Sequence, residues 1–210
     1  MIYFISIVTI AMTRGIKRKI SDLVSMAADE RMSESLVINK AGRIVLMLSL
    51  GMMGAGLGQH VVKPQRVEKK PKIDGVLNEV EWGHTAMISN LGQVEPREGV
   101  KPSERTEVRL MRTDEALYLG VTCFDRTPAG VLARDRRRDS TGSGDDRLRI
   151  VIDPFARGTE GYFFGIAAGG SLGDGIVRAG NRPEMEWDCI WEAKTRVTAD
   201  GWVAEVEIPF

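Results

Sequence analysis

The side chains of this chain best able to recognise a ligand are its four tryptophans, Trp82, Trp187, Trp191 and Trp202. An indole face stacks on the apolar face of a ring-shaped ligand, and amide or charged neighbours then bond the ligand's polar rim. Trp202 shares a face with Ala204, Val206 and Ile208, which assigns it to a core. Trp82 follows the run Ile73-Asp74-Gly75-Val76-Leu77-Asn78-Glu79 and is expected to plug one end of the fold. Trp191 heads an alternating stretch and reads as core before it reads as site. Trp187 lies in the loop Asn181-Arg182-Pro183-Glu184-Met185-Glu186-Trp187-Asp188, and is the best candidate for an exposed platform. The expected ligand-binding set is Trp187, Arg149, Asp174 and Trp191.

A second chemistry is offered by acids. Asp139, Asp145, Asp146 and Asp153 cluster around one apolar stretch, with Asp174 and Asp188 in later loops. Calcium takes several such oxygens, so Asp139, Asp145 and Asp146 are the candidate calcium ligands. Their spacing follows no regular ligand pattern, and solvated turn acids are the competing reading. For catalysis the residues are wanting. His60 and His84 form no acid–base pair, and no nucleophile elbow or clustered histidine motif occurs. Gly169-Gly170-Ser171-Leu172-Gly173-Asp174-Gly175 is rich in glycine, but no helix pattern follows to receive a phosphate, and a sandwich loop is the expectation. The chain is expected not to be an enzyme.

These groups must be held by strands. Val108 and Leu110 alternate with charged and polar residues, Thr113-Asp114-Glu115 breaks the run, and Leu117, Leu119, Val121 and Cys123 resume it, which predicts a hairpin. Leu148, Ile150 and Ile152 share a face opposite Arg147, Arg149 and Val151, until Asp153-Pro154 stops the strand. Tyr162, Phe164 and Ile166 share another. Asp200-Gly201 joins two further alternating runs, a strong hairpin signal. Leu77 to His84 is long enough for one helical turn. Short strands without intervening helices predict an all-β fold, an antiparallel β-sandwich or jelly roll, each sheet with one face packed and one wet.

The 210 residues carry 29 basic and 29 acidic side chains, so net charge supplies no attraction to nucleic acid. The run Arg134-Asp135-Arg136-Arg137-Arg138-Asp139 is interrupted by acids and reads as a solvated loop. Two cysteines, Cys123 and Cys189, make no disulfide framework, and spacing leaves open whether they pair. Ahead of the strands, residues 1–58 read as an over-extended N-terminus and a signal peptide. Lys40 and Arg43 precede an apolar core from Ile44, and Gly54-Ala55-Gly56-Leu57-Gly58 supply small residues for cleavage. The natural start is then expected downstream of Met1, at Met26 or Met32. Residues 59–71 read as an extended, mobile linker, and residues 72–210 as the domain. No stretch reaches the ~18 apolar residues of a spanning helix.

Several segments, taken in order, resemble the carbohydrate-binding module family 9 domain found at the N-terminus of a group of exported bacterial proteins. They are Ile73-Asp74-Gly75 to Glu79 with Trp82; Glu104-Arg105-Thr106-Glu107-Val108-Arg109; Leu117-Tyr118-Leu119-Gly120-Val121; Asp145-Asp146; Ile152-Asp153-Pro154-Phe155; Gly161-Tyr162-Phe163-Phe164; Trp187-Asp188 with Trp191-Glu192; and Gly201-Trp202 with Glu205 and Ile208-Pro209-Phe210. The resemblance implies a β-sandwich, export to the periplasm, outer membrane or exterior, and poly- or oligosaccharide as partner. It also implies structural calcium in some relatives, and attachment of others to xylan-degrading glycoside hydrolases. Asp174 matches the loop acid that follows a glycine in those relatives. In that group a large C-terminal region, an outer-membrane barrel, follows the domain, which makes the chain's own C-terminal region a second expected partner. Two departures stand out. Ser140-Thr141-Gly142-Ser143-Gly144 has no aromatic where sugar binders place a tryptophan, and Phe164-Gly165-Ile166-Ala167-Ala168 lacks their amide. A structural domain that docks on the C-terminal region without binding sugar is therefore the alternative expectation.

Overall fold

Alternation of apolar and polar side chains runs through most of the chain after Thr106, and such runs fold as strands because a single face can then be buried. The computed structural model describes residues 35–38, 44–47, 60–93, 100–140, 144–154, 159–178 and 182–210. In chain order the strands are β1 (Ser35–Ile38), β2 (Ile44–Met47), β3 (His60–Val62), β4 (Gln65–Arg66), β5 (Met87–Ile88), β6 (Thr106–Arg112), β7 (Ala116–Phe124), β8 (Arg147–Ile152), β9 (Glu160–Ala167), β10 (Leu172–Arg178), β11 (Glu192–Thr198) and β12 (Gly201–Pro209). One helical turn, α1 (Val80–Gly83), precedes β5, as the sequence predicts.

Strands β1, β2 and β3 pair antiparallel in a sheet of their own. The others form two sheets. The larger has the order β11-β12-β7-β6-β4, with β5 also on β6, and the smaller the order β10-β9-β8. Their pairings are antiparallel except for the short parallel contact of Gln65–Arg66 with Met111–Arg112.

Leu110, Leu119, Val121, Trp202, Ala204 and Val206 from the large sheet share one buried cluster with Leu148, Ile150, Phe164 and Ile166 from the small one. The fold is therefore the expected β-sandwich, closed by apolar burial that stabilises by about 1.5–3 kcal/mol per large side chain. The hairpins β6–β7 and β11–β12 also form as the turns predict.

Three expectations need correction. The glycine-rich run is not a loop throughout, because Leu172–Arg178 is a strand that pairs with β9. The large sheet does not leave its outer face wet. Trp82, Met111, Ala116 and Tyr118 form a second buried cluster there, with Val67, Ile73 and Leu77 against it. Trp82 accordingly packs on that face instead of plugging an end. A Cβ on Gly120 would meet its ring at 3.0 Å and Leu77 Cδ2 at 2.7 Å, so glycine is what admits the indole. Finally, residues 59–71, read as a mobile linker, include β4, and both Pro64 and Pro71 are buried. Of the expected signal peptide, Ile44–Met47 is strand β2, and residues 48–58 lie outside those described. Among the described residues no helix is long and apolar enough to cross a membrane.

Both cysteines are free thiols. Burial pushes the Cys123 thiol up to about 12, and burial with the charge of Asp174 also raises Cys189, which is partly exposed. Since the thiolate is the nucleophile, Cys123 is expected to resist a thiol reagent at mildly alkaline pH until the protein unfolds, while Cys189 reacts slowly. Mass-resolved maleimide labelling with and without denaturant checks this; prompt native labelling of Cys123 would contradict the packing described.

Candidate functional site

The small sheet turns one face to the core and the other outward. Because side chains alternate, Leu148 and Ile150 go inward and Arg147 and Arg149 outward, while Phe164 and Ile166 go inward and Phe163, Gly165 and Ala167 outward. Arg149, Gly165 and Gly173 lie side by side across the three strands. Two glycines in that row leave a depression, and the loops around it raise walls. The result is a recess of about 480 Å³ lined by Arg147, Arg149, Phe163, Ser171, Arg182 and Met185, among others.

The walls are fixed by main-chain bonds. Glu184 forms an isolated antiparallel bridge with Ile176: its N–H donates to the Ile176 carbonyl at 2.8 Å, and its carbonyl accepts from the Ile176 N–H at 3.0 Å. An ion pair from Arg178 to Glu184 reinforces the bridge. This brings Met185 over β10, where a Cβ on Gly173 would meet its terminal methyl at 3.0 Å. The Phe163 ring leans over Gly165 in the same way, with Cζ 3.1 Å from where a Cβ would stand. On the opposite side, Asp139 donates its N–H to the Leu172 carbonyl at 2.7 Å, and Ser171 Oγ donates to the Arg137 carbonyl at 2.5 Å. Burial, then the like charge of Arg147, lower the Arg149 guanidinium from its usual value.

Of the four residues expected to bind ligand, Arg149 lines this recess. Asp174, Trp187 and Trp191 come together elsewhere, on the core side of the same sheet. Asp174 is 1% exposed. Its Oδ1 accepts from Trp191 Nε1 at 3.1 Å and from Arg138 at 2.6 Å, and its Oδ2 accepts from the Cys189 N–H at 2.6 Å. Arg138 reaches on to Asp188 at 2.5 Å. The Trp187 ring packs against Tyr162 with centroids 4.8 Å apart and meets Phe164 edge-on at 6.4 Å. Trp187 is therefore a half-buried closure of the core edge, and the exposed-platform expectation is corrected. Its packing partners belong to a strand some twenty-five residues earlier, which a local reading does not see.

The three candidate calcium ligands are dispersed in what they bind. Asp145 Oδ2 accepts from the Arg134 and Asp135 N–H groups at 2.8 and 2.6 Å, and Asp146 Oδ2 accepts from the Leu132 N–H at 3.0 Å. These carboxylates pin the loop after the 3₁₀ turn at Pro128–Gly130 onto β8. Asp139, at φ 57, pairs with Arg138 at 3.7 Å. Among the described residues, no three histidine, cysteine or acidic side chains are gathered so as to hold a metal ion.

The residues that sequence reasoning missed are Phe163, Arg147, Arg182 and Met185. The signal for Arg147 was present, because it stands two residues from Arg149 on the outward face of one strand.

Among solved structures the chain is similar to a carbohydrate binding module family 9 from Caldicellulosiruptor kristjanssonii in complex with glucose, at 18% identity and a TM-score of 0.47 over 70% of this chain and 69% of that one. It is likewise similar to such a module from the same organism in complex with cellotriose, at 20% identity and a TM-score of 0.46 over 70% and 67% of the two chains. No family model matches the chain, and no curated protein matches it.

Proposed function

We propose that the chain is a non-catalytic carbohydrate-binding module whose ligand occupies the recess on the outer face of β8, β9 and β10. The observation that carries this reading is the pairing, in one recess, of an aromatic ring with forked guanidinium donors. A sugar ring has apolar C–H faces and a polar rim, and its recognition needs both kinds of surface at once. Phe163 supplies the first, and Arg147, Arg149 and Arg182 supply the second. The volume falls within the about 300–1,000 Å³ typical of small-molecule sites.

As part of the same proposal, the module belongs to an exported protein that handles polysaccharide such as xylan or cellulose; the order of charge, apolar core and small residues ahead of the domain supports export. The docking alternative draws on Ile190, which is 91% exposed beside the buried Trp191. Single exposed apolar residues are common on monomers, so this is the weaker of the two readings.

Calorimetric titration with glucose and cellotriose is the first test, because each probe samples the recess at a different length. Saturable binding is expected, and Phe163→Leu, which keeps the apolar volume but removes the flat ring, is expected to weaken it several-fold. Absence of heat at millimolar sugar with a folded sample would leave the docking reading in its place.

A further inference from the structure

Strand β10 ends the small sheet, and both walls of the recess close around it. The first wall, residues 137–140, comes over Gly173 on the outer face. Asp139 Cα and Oδ1 each stand 3.5 Å from where a Cβ on that glycine would be, and the Asp139 N–H donates to the Leu172 carbonyl. The second wall, residues 182–185, joins the strand through the bridge from Glu184 to Ile176 and lays Met185 over the same glycine.

On the core side of β10 both walls end on one carboxylate. Arg138 leaves the first wall and donates to Asp174 Oδ1 at 2.6 Å. Four residues past Met185, the Cys189 N–H donates to Asp174 Oδ2 at 2.6 Å, and Trp191 Nε1 gives Oδ1 a further bond at 3.1 Å. Asp174 stands between Gly173, which lines the recess, and Gly175, whose missing Cβ leaves room for the Glu184 carbonyl. Because side chains alternate across a strand, the acid points away from the floor that its two neighbours form. At 1% exposure it is beyond the reach of a ligand.

Bonds to a buried carboxylate are charge-assisted, and a donor that loses such a partner pays the full cost of its desolvation. Wall segments of this kind open locally, and a ligand that needs them ordered binds more weakly when they are loose. We infer that Asp174 is the positioning residue of the recess: it fastens both walls from the far side of the sheet, and the affinity of the recess follows their joint order. The affinity part of this inference rests on the carbohydrate reading above, and the part about the walls rests on geometry alone.

Native-state hydrogen exchange of the whole chain tests the hold on the walls, because the bonded N–H groups of Asp139 and Glu184 each report one of them. In Asp174→Asn the single amide oxygen leaves one wall without its bond and the other with an uncharged, weaker one. Both reporter amides are therefore expected to exchange about tenfold faster or more. The Val67 and Asp125 amides, bonded on the large sheet, are expected to keep their rates. In Arg138→Gln the Asp139 amide is expected to speed up and the Glu184 amide to stay as it was. Calorimetric titration with cellotriose is expected to show binding at least about fivefold weaker in Asp174→Asn.

Acceleration at only one of the two walls in Asp174→Asn would overturn the inference. So would equal acceleration at Val67 and Asp125, which marks a general loss of structure, or an unchanged cellotriose affinity in the folded variant. Should Asp174→Asn not fold, Arg138→Gln decides, and an unchanged Asp139 amide there overturns the inference. If the wild-type protein bound no sugar, the carbohydrate reading would fail, while the exchange pattern would still decide whether Asp174 ties the walls.

Discussion

Replacing Glu205 by alanine is expected to cost about 3–5 kcal/mol, a large share of the about 5–15 kcal/mol that holds a domain of this size. Glu205 is on the outer face of β12 and is fully buried. Its Oε2 accepts the N–H groups of Asp74, Gly75 and Val76 at 2.8, 2.7 and 3.2 Å. Its Oε1 accepts Trp82 Nε1 at 3.1 Å. One carboxylate therefore fastens the whole Ile73 to Trp82 segment onto the large sheet. Alanine would strand three donors, because the Val76 N–H also donates to Asp74 Oδ1 at 3.1 Å; each is worth about 1–3 kcal/mol when unsatisfied, with partial relief from entering water. Glu205→Gln, which keeps one acceptor oxygen, is expected to fall between wild type and alanine.

Chemical denaturation measures the cost, and hydrogen exchange at residues 73–82 should show that segment loosening first. A change below about 1 kcal/mol would mean that the segment is held by its apolar contacts alone. The same carboxyl carries a pH signature. Burial raises it above its usual value of 4.5, against the pull of the backbone donors. A raised acid contributes most to stability below that usual value, and the contribution is lost as pH rises through the folded-state value. Wild-type stability should thus decline with rising pH through that window, and the decline should be absent in Glu205→Ala.

The second large effect is expected at Gly201. This residue opens β12 at φ 137, and a Cβ there would stand 2.1 Å from the Cys123 carbonyl oxygen and 2.9 Å from the Asp125 nitrogen. Both neighbours are main chain and cannot swing aside. Gly201→Ala therefore adds backbone strain of about 1–3 kcal/mol to overpacking of about 1–3 kcal/mol. It would open the pairing of Gly201 with Phe124 and the bond from the Asp125 N–H to the Asp200 carbonyl at 2.9 Å. The central pair of the large sheet would fray from this end. Gly92→Ala is the control, since nothing lies within 4 Å of a Cβ there, and a change of no more than about 0.5 kcal/mol is expected. Equal denaturation midpoints for the two variants would refute the close approach at the turn.

Much of the sandwich is legible in the sequence because its hairpins carry two independent signals, alternation and a turn. Leu117, Leu119, Val121 and Cys123 face inward as their period demands, and Asp200-Gly201 closes β11 on β12. Strand β10 escapes that logic. Leu172-Gly173-Asp174-Gly175 has the composition of a turn, yet its glycines serve tertiary contact. A Cβ on Gly175 would lie 2.5 Å from the Glu184 carbonyl, so the bridge that walls the recess requires glycine at this strand position. Local propensity yields there to packing from a segment ten residues away.

The outer cluster on the large sheet is hidden for a similar reason. Tyr118 and Met111 occupy the face that alternation assigns to solvent, and only the fold brings Trp82 and Leu77 over them. Arg149 faces outward as its alternation predicts, whereas Trp187 is misplaced because a loop tryptophan does not announce the rings it will meet. Asp145 and Asp146 illustrate a further limit. A carboxylate that binds main-chain N–H groups and one that binds calcium look alike in sequence, and their partners alone tell them apart.

The reading of the recess is tested most directly by residue-resolved amide shift mapping during titration with glucose and cellotriose. Perturbations are expected to concentrate on Arg147, Arg149, Phe163 to Ala167, Ser171 and Arg182 to Met185. Shifts gathered instead around Trp187, Cys189 and Ile190, or none at all in a folded sample, would contradict it.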